Sequence, residues 1–312
     1  MADTVVALGA KRERVEDEVT KHAAKHPKHG QDEDQGEEGS DTELDACCGS
    51  KHGGKARQVP VLSLHPTQLA VGMYQVSFKV GRLKQMLKNG SLEGYLKSHP
   101  VPVIKGPGGG LYMTDHHHLA SALVKLALQV DSPKDRARGR SRVPQPYIEP
   151  ADKALSRDWS VEKEESPGFW ADLADHQCAW AGHLKRMLCV GEGGQPRVQY
   201  AYEMLSPADL MTHMPKAVTG LQDDPYRSLA AYVRYAGGYR KPKPSAGSNQ
   251  QPEFFVEFKW AQYLLGKMGE LEGEPDNLRV LEAALDHAKS PDAADLPGYI
   301  GPKEKKKDDS ED

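Results

Sequence analysis

The chain has 312 residues, 38% of them hydrophobic and 28% charged, with a formal net charge of −4 and a mean hydropathy of −0.67. That length suits one large domain or two modest ones, and a composition this polar predicts that part of the chain does not fold. The charge balance argues against a broadly basic nucleic-acid face, and no apolar run approaches the roughly 20 residues that cross a bilayer.

Four cysteines are present. Cys47 and Cys48 are adjacent in a polar tract, whereas Cys178 and Cys189 lie far away, and no C-x-x-C occurs. Thiols in a reducing compartment are the expected state. With no secretory apolar segment at the N-terminus, the expected location is the cytosol, with the nucleus as the alternative.

Residues 1–57 mix charged residues, histidine and glycine with few apolar ones. They cannot bury enough surface to offset their ordering entropy and are expected to form a disordered tail. His22, His26, His29 and His52 there are read as solvated. Order is expected from Val59, where VPVLSL reads as a strand ended by His65 and Pro66. TQLAVGMYQVSFK reads as a loop with a short extended piece. Val80, Leu83 and Leu87 then recur at helical spacing, and Asn89-Gly90 is a stop signal. SLEGYLKSH suggests further helical turns capped by Ser91.

Val101–Lys105 is β-rich, but Pro102 predicts an edge strand or a strand end. The GPGGG run reads as a hairpin turn, with Gly108, Gly109 and Gly110 as candidates to cradle a phosphate. Leu111–Met113 is the returning strand. Thr114 or Asp115 is a suitable N-cap, and Leu119, Ala122, Leu123, Leu126 and Val130 form the buried stripe of the next helix. Arg136, Arg138, Arg140 and Arg142 follow in a basic loop. The second half reads as mostly helical, with a long periodic run after Pro167, a break at GEGGQP, helices after Ser206, Asp224 and Pro252, and a last one capped by Asp276 or Asn277.

The candidate site is the junction of Asp115, His116, His117 and His118. Adjacent helical residues point about 100° apart, so three consecutive histidines on a helix cannot all bind one metal. A divalent metal remains a candidate cofactor, with His116 and His117 as its ligands. Anion chemistry is the more natural reading. A helix N-terminus offers backbone N–H groups and a positive dipole end, and histidine adds donors and proton transfer. Lys79 and Arg82 are candidate phosphate ligands from the first helix. Asp223, Asp224 and Arg227 form a second candidate cluster, with Asp224 and Arg227 read either as a cap with a surface charge or as part of a ligand site. Arg227 and Arg234, seven residues apart, share a helical face.

The segments HPTQLAVGMYQVSFKVGRL and PVPVIKGPGGGLYMTDHHHLASAL, with DDPYRSLAAYVRYAGGY and EFFVEFKWAQYLL, resemble the ParB/sulfiredoxin superfamily. The resemblance is to its ParB-like putative nuclease branch, of D-x-H-H type, over about residues 58–270. It implies an α+β fold: a ParB/sulfiredoxin-like core with a small mixed sheet at 58–150, a mainly helical region packed on it at 151–290, and a charged tail at 291–312. It also implies a nucleotide or phosphate site at the turn before the central helix, since members of the superfamily hydrolyse CTP, phosphorylate free serine or use ATP there. The chain departs from the pattern where ParB-type proteins carry Gly-Glu-Arg-Arg, having Asp115, His116, His117 and His118 instead. His116 also stands where sulfiredoxin has its catalytic cysteine, so sulfinic-acid reduction is not expected. No helix-turn-helix follows at the usual spacing. The expected function is therefore hydrolysis of a phosphodiester or nucleotide. The alternatives are a non-catalytic binding module and a phosphotransferase acting on a small metabolite. The expected partner is a nucleotide or another phosphate-containing small molecule, ahead of nucleic acid; no membrane association is expected.

Overall fold

A period of two along five short strands sorts the sheet residues onto two faces. A computed structural model describes residues 57–151, 166–242 and 255–302, all within the unit Thr42–Asp312. The expectations for the N-terminal tail and for the terminal KEKKKDDSED run lie outside these residues. The strands are β1 (Arg57–Gln58), β2 (Leu64–His65), β4 (Val101–Lys105), β5 (Leu111–Met113) and β6 (Tyr147–Pro150). They form a mixed sheet in the order β1-β6-β4-β5-β2. β4 runs antiparallel to β5 and parallel to β6, and β2 runs parallel to β5 with His65 opposite Tyr112. A separate parallel pair joins β3 (Ala70–Val71) to β9 (Gln222–Asp223).

One face of the sheet presents Leu64, Val101, Val103, Met113 and Ile148 to the first hydrophobic core. Covering them are α1 (Met73–Lys88) through Val76, Val80 and Leu83, α2 (Leu92–Ser98) through Leu92 and Leu96, and α3 (His117–Val130) through Leu119, Leu123 and Leu126. Ile104 and half-buried Tyr112 contribute to a second core with Phe169, Trp170 and Leu173 of α5 (Pro167–Asp175) and Leu210 of α6 (Pro207–His213). The third core is helical. It joins α7 (Pro225–Tyr235), α8 (Val256–Met268) and α9 (Leu278–Lys289) around Tyr226, Leu229, Trp260, Leu264 and Ala284. Among the described residues no helix is long and apolar enough to cross a membrane. The α+β class, the small mixed sheet and the helical C-terminal region are thus as the sequence predicts.

Several local expectations are corrected. β4 is the central strand, not an edge strand. Pro102 is accommodated because its carbonyl accepts from Thr114 N–H (3.0 Å) where β5 has ended, so its missing N–H falls where the antiparallel pairing stops. VPVLSL forms a 3₁₀ turn at Val61–Ser63 before β2. α1 begins at Met73, inside the stretch read as extended, since burial of Val76 and an external cap override its β-branched and aromatic character. The long run after Pro167 is not one helix: α5 stops at Asp175, with Gln177 at φ 56°. Residues Gly182–Val190 (β7) and Pro196–Met204 (β8) then form a nine-residue antiparallel hairpin. The GEGGQP break is its turn, with Gly193 and Gly194 at φ 83° and 77°. On the basic loop after α3, forming α4 (Pro133–Ala137) and its exit, Arg136 and Arg142 donate to the last carbonyls of α3, leaving Arg138 and Arg140 exposed.

Candidate functional site

β5 leads directly into the histidine turn. Asp115 is buried, and its carboxylate accepts from the N–H of His116. The N-cap of α3 is His116, not Thr114 or Asp115 as the sequence suggests, and it adopts a left-handed conformation (φ 64°, ψ 24°). That region is uncommon for a residue with a Cβ and holds only where surrounding contacts enforce it. The His116 side chain does not cap the helix, whose first backbone bond runs from Ala120 N–H to His116 O (2.9 Å).

The three histidines have different surroundings. His117 and His118 are buried, whereas His116 is half-exposed. His117 Nε2 accepts from Thr67 N–H at 3.0 Å, and His118 Nε2 accepts from Gly72 N–H at 3.2 Å. A nitrogen that accepts carries no proton, so each ring is the neutral tautomer with its hydrogen on Nδ1. These two side chains therefore hold the ends of one segment, Thr67–Gly72.

The second candidate cluster grips the same segment. Arg227 is buried, and its Nη1 donates to Gln68 Oε1 (3.1 Å) and Ala70 O (2.6 Å), while its guanidinium lies 3.8 Å over the Phe258 ring. Asp224 caps α7 by accepting from Tyr226 N–H and Arg227 N–H (both 3.1 Å), and it also accepts from Tyr202 Oη–H of β8 at 2.7 Å. Burial pushes the Asp224 carboxyl above the ordinary carboxylate value, opposed by the Arg227 charge and the Tyr202 hydroxyl. Burial and the Asp224 carboxylate push the Tyr202 phenol up, so it remains a donor. Asp223 accepts from Met73 N–H (2.8 Å) and is the external cap of α1.

Gly72 permits this convergence. A Cβ there would meet Ser228 N at 2.8 Å and Ser228 Cα at 3.1 Å, so only glycine lets the start of α1 lie against α7. The N-termini of α1, α3 and α7 thus meet around Thr67–Gly72.

Not all the candidates gather there. Gly109 (φ 77°) and Gly110 lie at the opposite end of β5, in a turn closed by Gly106 N–H to Gly110 O (2.9 Å). At about 3.3 Å per strand residue this turn is roughly 15 Å from Asp115. Lys79 and Arg82 sit seven and ten residues past Gly72 on α1, roughly 10 and 15 Å along its axis. Arg234 pairs with Glu257 of α8 at 3.1 Å. Among the described residues no group of three His, Cys, Asp or Glu side chains is placed to hold a metal ion. Composition did not single out Thr67, Gln68, Tyr202 or Phe258, although they complete the site; each carries an ordinary side chain whose role depends on long-range contact.

A family profile described as "Putative ParB-like nuclease" matches residues 57–188 and 196–266. The crystal structure of protein Atu1540 from Agrobacterium tumefaciens is 26% identical, covers 80% of this chain and 100% of its own, and superposes with a TM-score of 0.52. No curated protein matches the chain.

Proposed function

Because this chain belongs to the putative ParB-like nuclease family, we propose that it binds a nucleotide or phosphate ester at the Asp115–His118 turn and hydrolyses a phosphodiester or nucleotide there. The observation that carries this reading is the division among the three histidines. His117 and His118 give Nε2 to backbone amides, while His116 stands half-exposed at a left-handed apex leading into the 14-residue α3. The dipole of α3 favours an anion at that end. His116 donates to a phosphate oxygen or takes a proton from an attacking water, and Asp115 fixes its backbone. Arg227 is enclosed by protein partners and is not assigned to phosphate. Cys178 and Cys189 are thiols, which fits a cytosolic setting.

A second reading, a binding module without turnover, is favoured by the same hydrogen bonds. They commit His117 and His118 to holding the segment rather than to chemistry. The two readings separate by assay. Wild type and His116→Ala are compared for hydrolysis of nucleoside triphosphates and of a nitrophenyl phosphodiester. The catalytic reading expects His116→Ala to lose on the order of 100-fold in rate, as for loss of a general acid or base. Binding without turnover in wild type supports the module; phosphate passed to an added acceptor rather than to water indicates a phosphotransferase. Equal hydrolysis by both proteins removes the site assignment.

A further inference from the structure

We infer that Arg227 is a positioning residue for the histidine turn, acting through the Thr67–Gly72 segment. Alternate residues of that segment face different neighbours. Thr67 and Gly72 donate their amides to His117 and His118. Gln68 and Ala70 face Arg227, whose Nη1 donates to both. Leu69 packs into the core of α5 and α6, and Val71 into the core of α1–α3. Six residues thus pass between two hydrophobic cores, held at both ends by histidines and in the middle by one guanidinium on one side and the β3–β9 pairing on the other.

The turn and the guanidinium share this segment as their link. If Arg227 releases Gln68 and Ala70, the middle of the segment is held from one edge alone, where Gln222 and Asp224 N–H donate to Leu69 O and Val71 O, and it can turn about that edge so that the two amides lose their alignment with the imidazoles. Misaligned hydrogen bonds weaken steeply, and buried amides that lose an acceptor are costly. His117 and His118 directly follow His116 on the backbone, so the geometry at the apex follows the segment. The position calls for arginine specifically. A flat cation covers the Phe258 face at 3.8 Å while its edge reaches two acceptors, and the buried charge has Asp224 three residues earlier as counter-charge. Lysine keeps the charge but is shorter and lacks the plane.

The test is native-state amide exchange in the full chain, read residue by residue by NMR, for wild type and Arg227→Lys. The imidazole nitrogen shifts of His117 and His118 are recorded alongside. We expect Thr67 and Gly72 amides to exchange about tenfold faster or more in the variant. The Nε2 signals should move toward those of an imidazole without a hydrogen-bond partner, while Leu123 and Leu126 inside α3 keep their protection. Wild-type exchange at Thr67 and Gly72 would overturn the inference. So would uniform acceleration across all cores with unmoved imidazole signals, because that marks a merely structural role. Should Arg227→Lys not fold, Gln68→Ala removes one of the two acceptors and is read in the same way. No ligand is involved, so failure of the nucleotide reading leaves this result intact.

Discussion

His117 and His118 are buried and each satisfies a backbone N–H, whereas His116 is half-exposed, so substitutions should divide these neighbours sharply. Truncating His117 or His118 to alanine strands the amide of Thr67 or Gly72, which costs about 1–3 kcal/mol. Glutamine can place an oxygen near the position of Nε2, and His118→Gln should recover most of the loss; urea denaturation of the three proteins measures it. Alanine at Gly72 presses a Cβ against the Ser228 backbone at 2.8 Å, and overpacking of this kind costs about 1–3 kcal/mol. A Gly72→Ala protein with wild-type stability would show that the α1–α7 approach is looser than described. The sequence marked this turn through its run of titratable side chains. It could not separate the three histidines, because the difference lies in which backbone amides arrive from residues 67 and 72.

Elements that buried their own periodic stripe were legible. α3, α7 with its Asp224 cap and Pro225, and α9 with its Asn277 cap follow local rules of spacing and capping. α1 was misread at its start because its cap, Asp223, comes from 150 residues away. The β7–β8 hairpin was missed for a different reason. Trp180 and Leu184 happen to match a helical interval, which outweighed the alternation of Val198, Tyr200 and Tyr202 across the Gly193-Gly194 turn. That alternation and the glycine pair were the available signal. The hairpin also carries a pH prediction. Burial and the neighbouring His213, its ring 6.0 Å away, lower the His183 pKa below 6.5, against an opposing pull from Glu203. A histidine whose folded pKa is depressed contributes stability above its unfolded pKa and loses it as pH falls toward the folded value. The melting temperature should therefore fall as pH drops below 6.5, and the fall should be shallower in His183→Gln. Parallel profiles for the two proteins would contradict this.

Across the whole molecule, two cores and the start of α7 meet at one short segment, and the candidate clusters that look separate in sequence are two grips on it. The resemblance carried the family and the α+β architecture because its quoted segments supply β4 and β5 of the sheet and much of α1, α3, α7 and α8. Local pattern could not reveal that Arg227, 160 residues from Thr67, faces inward. The charge at Arg227 has the ordinary look of a surface helix, and only the crossing of α7 over Gln68 and Ala70 buries it. The same crossing ties Tyr202 of the hairpin to Asp224. Removing that hydroxyl in Tyr202→Phe leaves a buried carboxylate oxygen short of a donor and should cost about 1–3 kcal/mol. The account as a whole rests on His116 as the residue that meets the ligand, with its neighbours holding the turn. Titration calorimetry of a nucleoside triphosphate into wild type, His116→Ala and His118→Gln tests it most directly. His116→Ala is expected to weaken binding about tenfold or more, a loss of about 1.4 kcal/mol, while His118→Gln binds as wild type does. Wild-type affinity in His116→Ala would contradict it.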